Sequence, residues 1–123
     1  MAQEGKRISK KWGNEVVLTN TENYCAKNLL VDPGRICSLH RHVKKHETFI
    51  VQEGEGVIEV AGQAFEVVPM AFVHIAAGTW HRFWSSKGMK LLEVSTHHDD
   101  DDVERDGESG NLKFAPLMEI DDA

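Results

Sequence analysis

The stretch Gly34-Arg-Ile-Cys-Ser-Leu-His40-Arg-His42-Val-Lys-Lys-His-Glu47-Thr-Phe-Ile-Val-Gln-Glu-Gly54 holds two imidazoles one residue apart, a lysine pair, and a carboxylate heading an alternating apolar run. In an extended chain successive side chains point to opposite faces, so His40 and His42 share a side. Lys44-Lys45 can turn the chain, and Glu47 opens the next strand. A third imidazole, His81, follows Gly78-Thr-Trp in a distant segment. Three imidazoles and one carboxylate converging inside a barrel make a mixed nitrogen and oxygen site. Such a set suits Mn, Fe, Co, Ni or Zn and leaves positions open for water or substrate.

Outward from this stretch the period remains two. Residues 15–19, 24–31, 47–52, 57–60, 65–68, 72–75, 81–84 and 89–95 read as short strands. Asp32-Pro33-Gly34, Glu53-Gly54-Glu55-Gly56, Ala61-Gly62-Gln63, Ala77-Gly78 and Lys87-Gly88 punctuate them as turns. Residues 57–67 form the clearest hairpin, with Gly62 supplying a positive φ at its turn. No amphipathic helix pattern precedes the acidic tail. Eight or more short strands at close spacing imply a sandwich or barrel, and one barrel holding one small ligand suits this length. Residues 112–120 are left open between a final strand, a short helix and a segment reaching a partner subunit.

At 123 residues, 41% hydrophobic and 28% charged, the chain has the size and composition of one globular domain. The net charge of -6 argues against bulk nucleic-acid binding. No apolar run approaches the roughly 20 residues needed to span a bilayer. The basic opening Met1-Ala-Gln-Glu-Gly-Lys-Arg-Ile-Ser-Lys-Lys-Trp12-Gly13 has no apolar stretch behind it, so no secretory signal is expected. Cys25 and Cys37 lie among apolar residues at no metal-like spacing, which predicts two buried thiols in a reducing, cytoplasmic compartment. Acidity is concentrated at the end. From Asp99 onward there are 10 acids and 2 bases, against 10 acids and 12 bases in residues 1–98. The expected organisation is therefore a flexible N-terminus over 1–10, a barrel over 11–98, and an acidic tail over 99–123, partly ordered or at an interface.

The spacing Gly34, His40, His42, Glu47, Gly54 resembles the first motif of the cupin superfamily, and Gly78-Thr-Trp-His81 resembles the second. The resemblance implies an all-β, single-domain jelly roll, or double-stranded β-helix, with a divalent metal on His40, His42, Glu47 and His81. Manganese is the first expectation, with Fe, Co, Ni or Zn as alternatives. The second motif departs from the family pattern at Met70-Ala71, Ala76 and Ser85, none of which matches a ligand position. His46 should face away from Glu47, His74 should lie outside the barrel or at its edge, and His97 and His98 should be exposed.

A finer resemblance runs over residues 11–106. Trp12-Gly13, Glu22-Asn-Tyr-Cys-Ala-Lys27, Pro33-Gly34, Ser38-Leu-His-Arg-His42, Gly78-Thr-Trp-His-Arg82, Leu92-Glu-Val-Ser-Thr96 and Asp101-Asp-Val-Glu-Arg105 stand in order. Together they are similar to the sugar-isomerase cupins, the D-lyxose isomerases and type II mannose-6-phosphate isomerases. The string His40-x-His42-x-x-Lys45-x-Glu47 stands closer to the lyxose isomerases, whose chains are usually longer. The resemblance implies aldose–ketose isomerisation of a small sugar through an enediol. Glu93 is its candidate base and Lys45 its candidate acid or oxyanion partner. Trp80, Arg82 and Arg105 are candidate substrate contacts. Mannose-6-phosphate isomerase activity, a metal-dependent dioxygenase and a non-catalytic sugar- or metal-binding cupin are the alternatives. A small-molecule sugar is the expected partner, with no nucleic acid or membrane. An apolar outer sheet face over residues 14–32 makes a homodimer the expected assembly.

Overall fold

The computed structural model describes residues 2–112 and is all-β. Its strands are β1 (Lys6–Lys10), β2 (Gly13–Asn20), β3 (Cys25–Val31), β4 (Arg35–Ile36), β5 (Leu39–Arg41), β6 (Glu47–Gly54) and β7 (Gly56–Val60). They continue as β8 (Gln63–Val67), β9 (Phe72–Ile75), β10 (His81–Ser85), β11 (Met89–Ser95), β12 (Glu104–Asp106) and β13 (Gly110–Asn111). One antiparallel sheet has the order β1-β2-β3-β11-β6-β9. In the other, β4 and β5 both pair with β10, β7 also pairs with β10, and β8 follows β7. No helix is long and apolar enough to cross a membrane among the described residues.

Strand alternation determines what faces the interior. In β3 the odd residues Cys25, Lys27, Leu29 and Val31 are buried, and in β11 Met89, Leu91 and Glu93 are. Register aligns these residues across the sheet: Met89 opposite Val31, Leu91 opposite both Leu29 and Val51, Glu93 opposite both Lys27 and Phe49. Each step along the strands is therefore a layer of the interior. One end is apolar, built from Trp12, Leu29, Val31, Val51, Phe83, Met89 and Leu91. At Lys27, Glu93 and Glu47 the inward side chains become ionised, and that end holds the cavity.

Two boundaries differ from expectation. Residues 6–10, expected to be flexible, pair with β2 from Lys6↔Val17 to Lys10↔Gly13. The turn at Lys11-Trp12 folds this segment back, and Trp12 is buried edge-on against Phe83. The barrel also does not stop at residue 98, because β12 adds to β5 and β13 adds to β4. The three consecutive charges of 104–106 are tolerated because β12 is an edge strand whose residues all reach solvent. Apart from Leu112, the segment 112–120 lies outside the described residues.

The hairpin at residues 57–67 forms as expected, with Val60 opposite Gln63. Both turn residues have positive φ, 51° at Ala61 and 79° at Gly62. A two-residue loop of this kind matches strand twist but strains a residue with a Cβ unless it is Asn or Asp. Ala61→Asn is expected to stabilise the protein by about 1 kcal/mol. Chemical denaturation should show a higher midpoint with an unchanged slope.

Candidate metal centre and its cavity

His40 lies in β5 and His81 opens β10, directly cross-strand from it, while His42 follows β5. The ligating nitrogens of His40, His42 and His81 all lie within 4.8 Å of one another. Each ring is oriented by a main-chain carbonyl that accepts from Nδ1. Ser38 O is 2.7 Å from His40, Asp102 O is 2.8 Å from His42, and Thr79 O is 2.8 Å from His81. A carbonyl only accepts, so each neutral ring carries its proton on Nδ1 and turns a bare Nε2 inward. This is the arrangement in which protein-bound metals find their imidazoles.

Glu47 joins at the edge of the trio, with Oε1 2.8 Å from His81 Nε2 and Oε2 3.8 Å from His42 Nε2. The 2.8 Å approach is not a hydrogen bond of acceptable geometry. Both Glu47 oxygens and His81 Nε2 are buried without one. Lone pairs facing each other in a buried site are costly unless a cation lies among them. Burial opposes the Glu47 carboxylate, and the Lys45 ammonium 3.1 Å away helps to hold its pKa below the ordinary carboxylate range. The residues thus fit a divalent cation, with three neutral nitrogens and one anionic oxygen offered to it.

Lys45 is buried beside the cluster. Its Nζ donates to Glu93 Oε2 at 3.0 Å and to His98 Nδ1 at 3.0 Å, and lies 3.1 Å from Glu47 Oε2. Burial works against the ammonium, yet Glu93 and Glu47 together raise its pKa. Ser95 Oγ donates to the same Glu93 oxygen at 3.1 Å. His98, expected to be exposed, is half-buried, and its Nε2 donates to Asp100 at 2.9 Å. No local pattern marks His98. Its position comes from Asn20, whose side chain bonds its main-chain N–H and carbonyl across the sheet.

The acidic run is also structural. Asp102 accepts from the main-chain N–H groups of Val43, Lys44 and Lys45 at 2.9 to 3.2 Å. Desolvation opposes this carboxylate, and the three donors outweigh it and lower its pKa. One aspartate thus caps the turn between His42 and Glu47 while its own carbonyl orients His42.

His40, His42, Lys45, Glu47, Glu93 and His98 line a cavity of about 460 Å³, together with Glu15, Lys27, Arg105 and others. Arg105 donates to Ser38 Oγ at 3.1 Å. Trp80 and Arg82 do not reach the cavity. Arg82 pairs with Glu59 at 3.1 Å and lies over Trp84, while Arg41 lies over Trp80. In β10 the inward parity belongs to His81 and Phe83, so the residues flanking His81 face away. His46 and His74 are exposed as expected, His74 bonding Thr48 at 2.7 Å. Cys25 and Cys37 are free and buried, and burial pushes the Cys37 thiol up to about 12. Glu15 and Lys27 carried no expected role. Their signal was parity, since Lys27 alternates with Cys25, Leu29 and Val31 on the inward face.

Residues 29–95 match the Cupin domain family model. Over 57 residues the chain is 39% identical to a D-lyxose/D-mannose isomerase of Thermosediminibacter oceani, covering 42% of this chain and 32% of that protein. Over 87 residues it is 24% identical to a mannose-1-phosphate guanylyltransferase of Sinorhizobium fredii, covering 71% of this chain and 17% of that one. The chain therefore spans less than a third of the length of either relative. Among solved structures, a nucleoside dehydratase of Streptomyces is similar, with a TM-score of 0.74 at 17% identity and 92% of each chain covered. KdgF of a Halomonas species superposes with a TM-score of 0.66 at 17% identity, covering 72% of this chain and 81% of that one.

Two measurements test the centre. Asp102→Ala, which removes the cap, is expected to weaken Mn(II) binding by about 10- to 100-fold through disordered ligands. Titration calorimetry reads that loss directly. Burial above all lowers the His40 pKa to about 3; burial, and then Lys45, lowers that of His42 to about 4. In the unfolded chain these rings take up protons near pH 6.5. The unfolded state therefore binds more protons between about pH 6.5 and 4, and the metal-free protein loses stability as pH falls through that window. The folded protein should nevertheless keep its Mn(II) at pH 5.5 in equilibrium dialysis. Release with a midpoint near 6.5 would mean that the rings are solvated.

Proposed function

The chain belongs to the cupin family, and on that premise we propose that it is a metal-dependent aldose–ketose isomerase for a small, unphosphorylated sugar of the D-lyxose or D-mannose type. The observation that carries the proposal is the buried Lys45–Glu93 pair beside the imidazole trio. Lys45 touches both Glu93 and the metal-set carboxylate Glu47, which puts an acid and a base where a metal-held sugar would lie. The partial likeness to a D-lyxose/D-mannose isomerase supports the same substrate class.

His40, His42, Glu47 and His81 would hold the divalent cation. When bound, it supplies Lewis acidity toward the sugar's carbonyl and neighbouring hydroxyl oxygens. The remaining work falls to the chain's own groups. Glu93 lifts the proton from C2 and returns it to C1, while Lys45 gives a proton to O1 and recovers one from O2, which completes the isomerisation. The Glu93 Oε2 atom is held by Lys45 and Ser95, so the carboxylate enters the reaction already oriented. The Lys45 ammonium, kept charged by its two carboxylates, donates to the oxygen on which negative charge develops. His98, neutral because burial and Lys45 lower its pKa, accepts from Lys45 and fixes the direction of its other protons. A homodimer through the outer face of the six-stranded sheet, where Leu18, Phe72 and Val94 are exposed, belongs to the same proposal.

NMR of the Mn(II)-loaded protein in D2O with D-lyxose, D-mannose and mannose 6-phosphate tests the reading. Deuterium at C1 of the ketose, and at C2 of the recovered aldose, is expected for an unphosphorylated sugar. Lys45→Met and Glu93→Gln should each lower kcat by roughly 10²- to 10⁴-fold while metal stoichiometry stays at one per chain. No exchange with any sugar, in protein still holding its metal, would overturn the proposal.

A further inference from the structure

A row of ionised side chains crosses the inner face of the six-stranded sheet. It runs Lys10 on β1, Glu15 on β2, Lys27 on β3 and Glu93 on β11, then Lys45 and Glu47 at the head of β6. The signs alternate along it, and all six residues line the cavity. Side-chain exposure falls steadily in the same order, 33%, 9%, 6%, 5%, 1% and 1%. The row therefore descends from rim to floor, and the imidazole trio stands at its floor.

The proposed reaction uses only the deep end. Higher up, Lys27 Nζ lies 2.9 Å from Glu15 Oε2, and Lys10 Nζ lies 3.1 Å from Glu15 Oε1. Burial opposes the Glu15 carboxylate, but Lys27 and Lys10 outweigh it and lower its pKa. A buried pair of this kind adds little stability over apolar residues of the same volume, so its place on a cavity wall calls for another reason. Both groups have bonding capacity left over. An ammonium has three donors and a carboxylate about four lone-pair positions, and their mutual contact uses one of each. Adjacent sugar hydroxyls, each both donor and acceptor, are the complement of such a pair. Strands lie about 4.8 Å apart, so β3 stands two spacings from β6. Side-chain reach shortens that gap for a sugar held by its carbonyl end at the floor.

We propose that the Glu15–Lys27 pair is a specificity-determining subsite that hydrogen-bonds the hydroxyls of the sugar remote from the carbonyl. It rests on the isomerase reading only for which end of the sugar lies deep.

Alditols test it without turnover, because they have no carbonyl. Titration calorimetry of the Mn(II)-loaded protein compares D-mannitol with 1-deoxy-D-mannitol, which lacks one terminal hydroxyl. The native protein should prefer mannitol by about 10- to 100-fold, the range for hydrogen bonds to charged groups. The paired variant Glu15→Gln/Lys27→Met removes both charges together, so no buried ion is stranded. It should bind both alditols equally, near the native affinity for the deoxy compound, with unchanged metal content and circular dichroism. Glu15→Gln alone, the milder change, should shrink the preference part of the way. A native protein indifferent to the terminal hydroxyl, or a preference surviving in the variants, would overturn the proposal. Isomerisation with an unaltered preference would sink the subsite alone. A lost preference in a protein that isomerises no sugar would sink the isomerase reading and leave the subsite standing.

Discussion

The ammonium of Lys45, withdrawn from water and set 3.0 Å from Glu93 and 3.1 Å from Glu47, is the interaction around which the polar end of this barrel is arranged. It ties the head of β6 to the end of β11 and, through His98, to the residues that follow β11. A buried cation is costly alone, and removing one partner from such a pair typically costs about 3–5 kcal/mol. The same ammonium thus serves two carboxylates with different purposes. Glu47 presents its charge to the imidazoles, and Glu93 remains available to a substrate.

The same economy governs the neighbouring imidazoles. Each has its Nδ1 proton committed to a main-chain carbonyl, leaving Nε2 bare. Those carbonyls belong to the residue two before His40, the residue two before His81, and the distant Asp102. The acidic segment consequently has a double role. Asp102 caps the turn at 43–45 through its carboxylate and orients His42 through its backbone. Charge that reads as solvated tail is held by three main-chain donors.

The layered interior explains why fold and site share one sheet without conflict. Along β3 and β11 the inward residues change from Val and Leu to Lys27 and Glu93 at one level, and β6 changes from Phe49 to Glu47 one layer further on. Hydrophobic packing beneath fixes the backbone, and the ionised layer above is positioned by it. The strands and their alternation were legible in the sequence, as were His40, His42, Glu47 and His81, because parity and spacing are local properties. Lys45 and Glu93 were legible as candidates. Trp80 and Arg82, candidate substrate contacts, lie outside the cavity because alternation in β10 turns the neighbours of His81 outward.

Sequence by itself determined the period of two, the turns that interrupt it, and therefore which side chains share a face. It determined the donor types available to a metal. Tertiary structure alone decided which faces meet. That Lys27 stands beside Glu15, that His98 folds down onto Lys45, and that Asp102 caps a turn some sixty residues upstream all depend on strand register and on main-chain donors brought together by long-range pairing. No local pattern encodes such meetings, because a strand's own alternation is the same whichever partner it finds.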